Sequence, residues 1–220
     1  MKLPKPSHSP GFTIVELLVA TSVFSVVLLG ALAGFLEIGH LFYKGVSTSN
    51  TQAVANQILQ DVSGQFQTNG GFTSVPPTDG STYAYYCIGD TRYTYNINHE
   101  VNVNDSTDRS PGGHYGILKD VLPGDGCGTP CVSSCVQGEA PFQSPTELLG
   151  DKMTLRQFSI TPSASGSNFF NISIVVSYGE DDAFDNISDP NTIVCKANSG
   201  LDQFCSVSRL NTSAYKGFSL

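Results

Sequence analysis

The longest hydrophobic segment of the chain is an uncharged run of twenty residues near its amino-terminal end, residues 17–36. As an α-helix, with a rise of ~1.5 Å per residue, this run would be about 30 Å long, which matches the hydrocarbon core of a bilayer. The pattern therefore predicts a membrane-spanning helix, placed at about residues 14–38.

A second helical pattern follows this span. From Leu41 to Phe66 apolar residues recur mostly every fourth position, and polar residues such as Gln52 and Gln60 occupy the other positions. A helix with one apolar stripe has to bury that stripe against something. We therefore expect one helix over residues 12–67, whose second part, about 39–67, packs on a globular head. Residues 45–50, GVSTSN, are its weakest point and the place where a bend is expected.

After Asn69-Gly70-Gly71 the hydrophobic pattern changes to a period of two, which is typical of β-strands. Residues 83–88 and 92–97 flank Gly89-Asp90 and predict a hairpin with a tight turn. Residues 155–160 and 170–178 predict a second antiparallel hairpin. In its second strand, alternate apolar residues line the face that we expect to pack on the long helix.

The rest of the head combines loops with short strands. Residues 99–113 are rich in Asn, Asp, Ser and Gly and predict an exposed loop, and residues 122–145 predict irregular structure held by disulfides. Short strands are expected at residues 115–119, 191–195 and 204–210, the last two completing or edging the sheet. The expected fold class is α+β, with a long helix packed on an antiparallel sheet in a head formed by residues 68–220.

The charges predict how the chain is oriented in a membrane. Residues 1–11 carry Lys2 and Lys5 and no acidic residue, and positive residues beside a span favour the cytoplasmic side. Without these residues Lys and Arg fall from 11 to 9 against 19 Asp and Glu, a side-chain charge of −10. An acidic head without a basic patch after the span argues against direct nucleic-acid binding through phosphate contacts.

All six cysteines follow the span, in the part that we expect outside the cytoplasm: Cys87, Cys127, Cys131, Cys135, Cys195 and Cys205. An even number in that compartment favours disulfides, and six cysteines allow 15 complete pairings. Cys195 and Cys205 bracket a short loop and are the preferred local pair, which leaves Cys87 to pair with one of the other three. Those three are also candidates for zinc ligands, although their spacing lacks the CxxC pairs of common zinc sites.

One charged residue lies at the start of the apolar amino-terminal segment. Glu16 is preceded by Val15 and followed by Leu17, and a carboxylate at membrane depth costs on the order of a few kcal/mol unless a partner neutralises it. One interpretation is a functional carboxylate that pairs with a positive group. The other is a helix-start carboxylate at the headgroup level, stabilised by the helix macrodipole.

The segment Gly11-Phe12-Thr13-Ile14-Val15-Glu16, with the apolar run behind it, resembles the amino-terminal signature of type IV pilins and type II secretion pseudopilins. The resemblance implies that prepilin peptidase removes residues 1–11 by cutting between Gly11 and Phe12, and that the new amino terminus of Phe12 is N-methylated. It also implies that Glu16 pairs with the amino-terminal charge of an adjacent subunit during assembly. The physics agrees, because a buried carboxylate and a buried ammonium each need a partner.

The resemblance further implies a structural role and not a catalytic one. We expect a subunit, and a minor one, of a type IV pilus or a type II secretion-like pseudopilus, with a head faintly similar to the J-type minor pseudopilins. The expected partners are the membrane, prepilin peptidase, the assembly platform of the inner membrane and other pilin or pseudopilin subunits. The expected location is the inner membrane, crossed once with the head outside the cytoplasm, and then the filament.

Within the span, Gly30 and Gly34 form a GxxxG pattern. Such a pattern lets helices approach closely, so that many of these helices could pack in a filament shaft. The alternative is that the glycines only reflect the general frequency of small residues in membrane spans.

Two alternatives concern chemistry in the head. Asp181, Asp182 and Asp185 crowd one loop and are calcium candidates, because calcium takes six to eight oxygen ligands, but an acidic solvated turn is the other interpretation. No GxSxG elbow, phosphate-binding glycine loop or HExxH helix occurs in the chain, so no catalytic residues are predicted. The alternative function is an envelope enzyme or binding domain held by a simple signal anchor, which would not assemble.

Overall fold

The computed structural model describes residues 11–69, 71–75, 84–98, 101–102, 114–122, 127–131, 139–141, 144–197 and 202–217, with the backbone alone for 101–102, 114–115, 129–131, 139–141 and 202. The predicted leader up to residue 10, nearly all of the predicted loop at 99–113 and Cys135 lie outside the described residues. The chain divides into two compact units, residues 1–42 and residues 43–220.

The first element is the helix α1, Ile14–Thr68, which is 55 residues long. Residues 45–50 stay helical, so the expected weak point does not end the helix. The buried residues of α1 all lie in its second half and, apart from the adjacent pair Ile58 and Leu59, recur at intervals of three or four: Ser47, Thr51, Ala55, Ile58, Leu59, Val62 and Phe66. These seven residues are called the head-facing stripe below. The apolar stripe predicted from the sequence is confirmed from Ala55 to Phe66. It is wrong for Leu41, Phe42 and Val46, which are exposed, while the polar Ser47 and Thr51 are buried.

Fourteen strands follow among the described residues. They are β1 Phe72–Val75, β2 Ala84–Ile88, β3 Thr91–Tyr95, β4 Val101–Asn102, β5 His114–Tyr115, β6 Ile117–Val121, β7 Thr129–Cys131, β8 Glu139–Pro141, β9 Thr146–Glu147, β10 Met153–Pro162, β11 Phe169–Tyr178, β12 Phe184–Asp185, β13 Val194–Cys195 and β14 Ser206–Tyr215. Two short 3₁₀ helices lie at Asp181–Ala183 and Asp202–Phe204. One long helix with mainly antiparallel sheets confirms the α+β class.

Within the described ranges, the larger sheet has five strands in the order β1-β2-β3-β6-β9. Its hairpin β2–β3 is antiparallel, as predicted, and turns at Gly89 and Asp90. Gly89 has a φ of +61°, and a Cβ at this position would lie 2.5 Å from the Cβ of Asn69. Glycine is therefore required twice over, for the positive φ and for the close approach.

A separate sheet of the described residues has three strands in the order β10-β11-β14. As predicted, one face of β11 packs on the long helix, with Ile172, Ile174 and Val176 fully buried in the core that holds the head-facing stripe. Phe170 stacks on Phe66 of α1 with 4.7 Å between ring centroids. The prediction of a strand at residues 191–195 is wrong in its length and in its partner. Only the two residues of β13 are a strand, and they pair with β12 instead of completing this sheet.

Charged side chains fix the five-stranded sheet to its surroundings. Asp61 of α1 accepts hydrogen bonds from the Nζ of Lys119 at 2.6 Å and from the hydroxyl of Tyr93 at 2.8 Å. Burial, together with this carboxylate, raises the pKa of Tyr93 far above its usual range. On β3, Arg92 forms a fully buried pair with Asp120 at 2.6 Å, and removing one partner of such a pair typically costs about 3–5 kcal/mol.

The edge strand β9 contributes a carboxyl group with an altered pKa. The Oε1 of Glu147 accepts hydrogen bonds from the backbone N–H groups of Leu149 at 2.8 Å and Ile117 at 3.3 Å. Its Oε2 is buried and has no hydrogen-bond partner in the described structure. Burial raises the pKa of Glu147 to about 7, against the opposing effect of the backbone hydrogen bonds.

This pKa predicts a pH dependence of stability. The unfolded chain loses the Glu147 proton near pH 4.5 and the folded chain near pH 7, so this group's contribution is complete at low pH and is lost as the pH rises through that interval. We expect Glu147→Gln, which stays neutral and keeps an acceptor oxygen, to unfold at the same denaturant concentration as the parent at pH 4. At pH 8 it should be more stable by about 3 kcal/mol.

The measurement is chemical denaturation of the full chain in detergent at several pH values. Glu180→Gln is the control, because Glu180 is exposed. If the difference in unfolding free energy between Glu147→Gln and the parent were the same at pH 4 and pH 8, the raised pKa of Glu147 would be contradicted.

Candidate functional site

Glu16, the carboxylate singled out from the sequence, forms a capping box with Thr13 at the start of α1. Its Oε2 accepts hydrogen bonds from the backbone N–H and the hydroxyl of Thr13, both at 2.9 Å. The Oγ1 of Thr13 in turn accepts a hydrogen bond from the N–H of Glu16 at 3.2 Å. This reciprocal pattern satisfies two backbone donors that a helix start otherwise leaves unpaired.

The cap leaves part of the Glu16 carboxylate available. Oε1 makes no hydrogen bond within residues 11–69, and the adjoining Phe12 is 82% exposed. Gly11 and Phe12, the expected cleavage junction, precede the first helical residue and are both exposed. The expected junction, the helix cap and an available carboxylate oxygen therefore lie within six consecutive residues.

Among the described residues, none covers the first half of the helix behind this cap. It contains an 18-residue window apolar enough to cross a membrane, and none of that window is buried. Large apolar side chains such as Phe24, Leu29 and Phe35 are each more than half exposed. Such a surface requires lipid or other protein around it.

The polar side chains inside the span are satisfied within the helix. The hydroxyl of Thr21 donates to the carbonyl of Leu18 at 3.0 Å, and that of Ser22 donates to the carbonyl of Val19 at 2.8 Å. Ser25 donates to the carbonyl of Thr21 at 2.8 Å. These internal bonds remove the cost of placing a hydroxyl in hydrocarbon.

Gly30 and Gly34 lie on open helix surface. A Cβ added at either position would meet no atom within 4 Å. Their lack of a side chain is therefore not required by the packing of this chain on itself. Their small size would matter for a neighbouring helix that packs against this surface.

The structure describes two disulfides in the head. Cys195 is joined to Cys205 across 5.8 Å between Cα atoms, which is the local pair preferred from the sequence. Cys87 is joined to Cys127 across 6.0 Å, so Cys127 is held by sulfur and not by zinc. The Cys87–Cys127 bridge lies beside a hydrogen bond from Arg92 to the carbonyl of Gly128. For Cys131 the structure describes the backbone alone.

The acidic loop proposed as a calcium site is organised by an arginine. The NH2 of Arg156 donates to the Oδ1 of Asp181 at 2.6 Å, and its Nε donates to the hydroxyl of Ser177 at 2.7 Å. Asp182 and Asp185 are exposed. In the described part of the chain, no group of three or more His, Cys, Asp or Glu is placed to hold a metal ion. The calcium interpretation gains no support from this arrangement.

A comparison with protein families gives one match. The prokaryotic N-terminal methylation motif matches residues 7–32. The chain carries a prepilin-type amino terminus. The matched segment contains the Gly11–Phe12 junction, Glu16 and Gly30, and the match supports the type IV pilin and pseudopilin family. A search of curated proteins and of solved structures found no match to the chain.

The motif and the apolar helix fit a membrane-anchored structural subunit that is processed by prepilin peptidase. Sequence reasoning missed two features of this chain. The cap was encoded in the T-x-x-E spacing of Thr13 and Glu16, which is the usual signal for a capping box. The role of Arg156 had no such local signal, because its partners Asn98, Ser177 and Asp181 are remote in sequence.

Proposed function

We propose that the chain is a structural subunit of a type IV pilus or a type II secretion-like pseudopilus, assembled through its amino-terminal helix. The observation that carries the proposal is Glu16 in the methylation motif at the start of an apolar helix without protein cover. A plain membrane anchor needs the apolar surface but not the carboxylate. A subunit that is later packed among the helices of other subunits has a use for both.

The proposed sequence of events begins with insertion of residues 14–38 in the inner membrane. The positive charges of Lys2 and Lys5 keep the amino terminus in the cytoplasm and the acidic head is translocated. Prepilin peptidase then cuts between Gly11 and Phe12, and the amine of Phe12 is N-methylated. The assembly platform transfers the subunit from lipid into the filament, where neighbouring helices replace lipid.

Glu16 would set the alignment of adjacent subunits in this filament. When helices replace lipid, a carboxylate and an ammonium that stay unpaired are each penalised by desolvation, and pairing between neighbours removes both penalties. The cap uses Oε2, so Oε1 is the oxygen that would accept a hydrogen bond from the amino-terminal amine of the adjacent subunit. Capping and pairing are therefore compatible in one side chain.

We further propose that the subunit is a minor one. The support is the large second unit, residues 43–220, whose described residues include a five-stranded sheet, a three-stranded sheet and two disulfides. Gly30 and Gly34 would then be the close-contact positions of the shaft, since an added Cβ there meets nothing in the single chain.

The first prediction concerns processing. Mass spectrometry of the protein purified from membranes should show a chain that begins at Phe12 and carries one methyl group on its amine. Without the prepilin peptidase, the chain should keep residues 1–11. An uncut Met1 in the presence of the peptidase, or a cut after residue 36, would contradict the proposal.

The second prediction separates charge from capping at Glu16. Glu16→Gln keeps a side chain that serves in a capping box but loses the charge. We expect this variant to insert into the membrane and to be cleaved normally. It should enter filaments far less than the parent does, because a buried charge that loses its partner costs about 3–5 kcal/mol. The measurement is the amount of subunit in sheared, sedimented filaments relative to the amount in membranes.

Two matched variants complete the series. Thr13→Val removes the hydroxyl half of the cap and keeps the charge, at a cost of about 1 kcal/mol to the helix start, and should assemble nearly as the parent does. Glu37→Gln neutralises the other acid of the apolar half of α1 and should also assemble. If Glu16→Gln assembled as well as these two, Glu16 would be a cap alone and its proposed pairing would be contradicted. Absence of the parent itself from filaments would favour the signal-anchor alternative.

A further inference from the structure

Three side chains form a small exposed apolar patch where the head begins. Tyr43 and Val46 lie one turn apart on α1, and Phe204 lies on the 3₁₀ helix Asp202–Phe204. The rings of Tyr43 and Phe204 are 6.3 Å apart between centroids. The three side chains are 58%, 50% and 49% exposed, respectively. We call them the Tyr43–Phe204 patch.

Phe204 is presented by a tightly fixed turn. The next residue, Cys205, is 1% exposed and bonded to Cys195. The carbonyl oxygen of Phe204 would lie 2.7 Å from a Cβ at Gly179, whose φ of +122° also requires glycine. The backbone at Phe204 is thus held on two sides while half of its ring faces outward. A fixed, outward-facing aromatic ring is the usual form of a binding anchor.

The position of the patch along α1 indicates what it meets. Tyr43 precedes Ser47, the first residue of the head-facing stripe, by four residues. It also follows the expected end of the span at residue 38 by five residues, or about 7–8 Å of helix. The headgroup region adds about 5–8 Å to each side of the hydrocarbon core. Tyr43 therefore falls in the headgroup layer if residues 14–38 span the bilayer.

The composition of this region is that of a membrane interface. Tyrosine is enriched at the headgroup level, and Lys44, the first basic residue after Lys5 apart from His8 and His40, follows Tyr43 directly. A lysine here can place its ammonium group among lipid phosphates while its stem lies along apolar surface. The head as a whole is acidic, so aromatic contacts are needed to hold any part of it at an anionic lipid surface.

We propose that the Tyr43–Phe204 patch docks on the lipid surface of the membrane that the helix spans, with the Phe204 ring in the headgroup and acyl boundary. The head would then be held against the bilayer at one defined turn before assembly. This inference rests on the membrane insertion stated under the proposed function. It goes beyond that function because a head tethered only by α1 would not need Phe204 at the lipid surface.

The test uses the fact that the chain contains no tryptophan. Phe204→Trp gives a single fluorophore in the patch, and Phe169→Trp gives a matched one at an aromatic position that is 53% exposed and has Tyr215 as its ring partner. Val27→Trp reports on the span itself. Each full-length variant is reconstituted into phosphatidylcholine–phosphatidylglycerol vesicles with and without brominated acyl chains, and formation of the Cys195–Cys205 bridge is checked by peptide mapping.

Brominated lipid should quench the emission of the Val27→Trp variant strongly and leave that of the Phe169→Trp variant unchanged. For the Phe204→Trp variant we expect brominated lipid to reduce the emission intensity roughly twofold, since interfacial side chains lie about 5–10 Å into the headgroup and acyl boundary. Its emission maximum should also lie at shorter wavelength than that of the Phe169→Trp variant.

Three outcomes would overturn the proposal, each in a different way. In the first, brominated lipid quenches the Val27→Trp variant but leaves the Phe204→Trp and Phe169→Trp variants unchanged. This result would contradict the contact between Phe204 and lipid, while membrane insertion of the helix would still hold. Absence of quenching in the Val27→Trp variant would overturn insertion, and this inference with it. A blue shift of the Phe204→Trp variant only in assembled filaments would assign the patch to a neighbouring subunit and overturn the lipid assignment.

Discussion

The structure depends on one constraint, the need to cover the two halves of a single long helix by different means. In the second half, the head-facing stripe from Ser47 to Phe66 is covered by the chain's own sheets. In the first half, no residue of the apolar window is buried. Burial of that surface against lipid or against other proteins would provide the missing free energy. Membrane anchoring and filament assembly are two ways of meeting the same demand.

In the proposed function, Glu16 would make filament assembly selective. Lipid accepts any sufficiently apolar helix, but a helix with a carboxylate near its start packs well only where a positive group is offered at the same depth. In the single chain, the Thr13 cap holds this carboxylate in a fixed position at the helix start. The cap therefore orients the group and reduces the conformational entropy that pairing would cost. The polar hydroxyls of the span make no such demand, because they are satisfied internally.

The parts of the fold that the sequence predicted are those with a local periodic signal. The apolar run, the stripe of α1 and the alternation along β11 all follow from spacings of three, four or two residues. The division into two sheets had no such signal, because it is decided by contacts between remote strands. At Arg156 a register shift between Leu155 and Gln157 interrupts the alternation. The expected cleavage junction and the Glu16 carboxylate could be identified from the sequence because they are neighbours in one short motif. The Thr13 cap had a local signal in the same segment but was missed.

The central claim is that Glu16 contacts the amino-terminal amine of an adjacent subunit, and a zero-length carbodiimide cross-link tests it most directly. Filaments assembled from a mixture of isotopically heavy and light subunits would be treated with the reagent, digested and analysed by mass spectrometry. The Lys119–Asp61 pair, at 2.6 Å, provides an internal positive control within each subunit. The account predicts a peptide that joins Glu16 to the amino-terminal residue of a subunit with the other isotope label, whether that subunit is a second copy of this chain or another pilin. Recovery of the Lys119–Asp61 link with Glu16 unlinked, or linked only within its own chain, would contradict it.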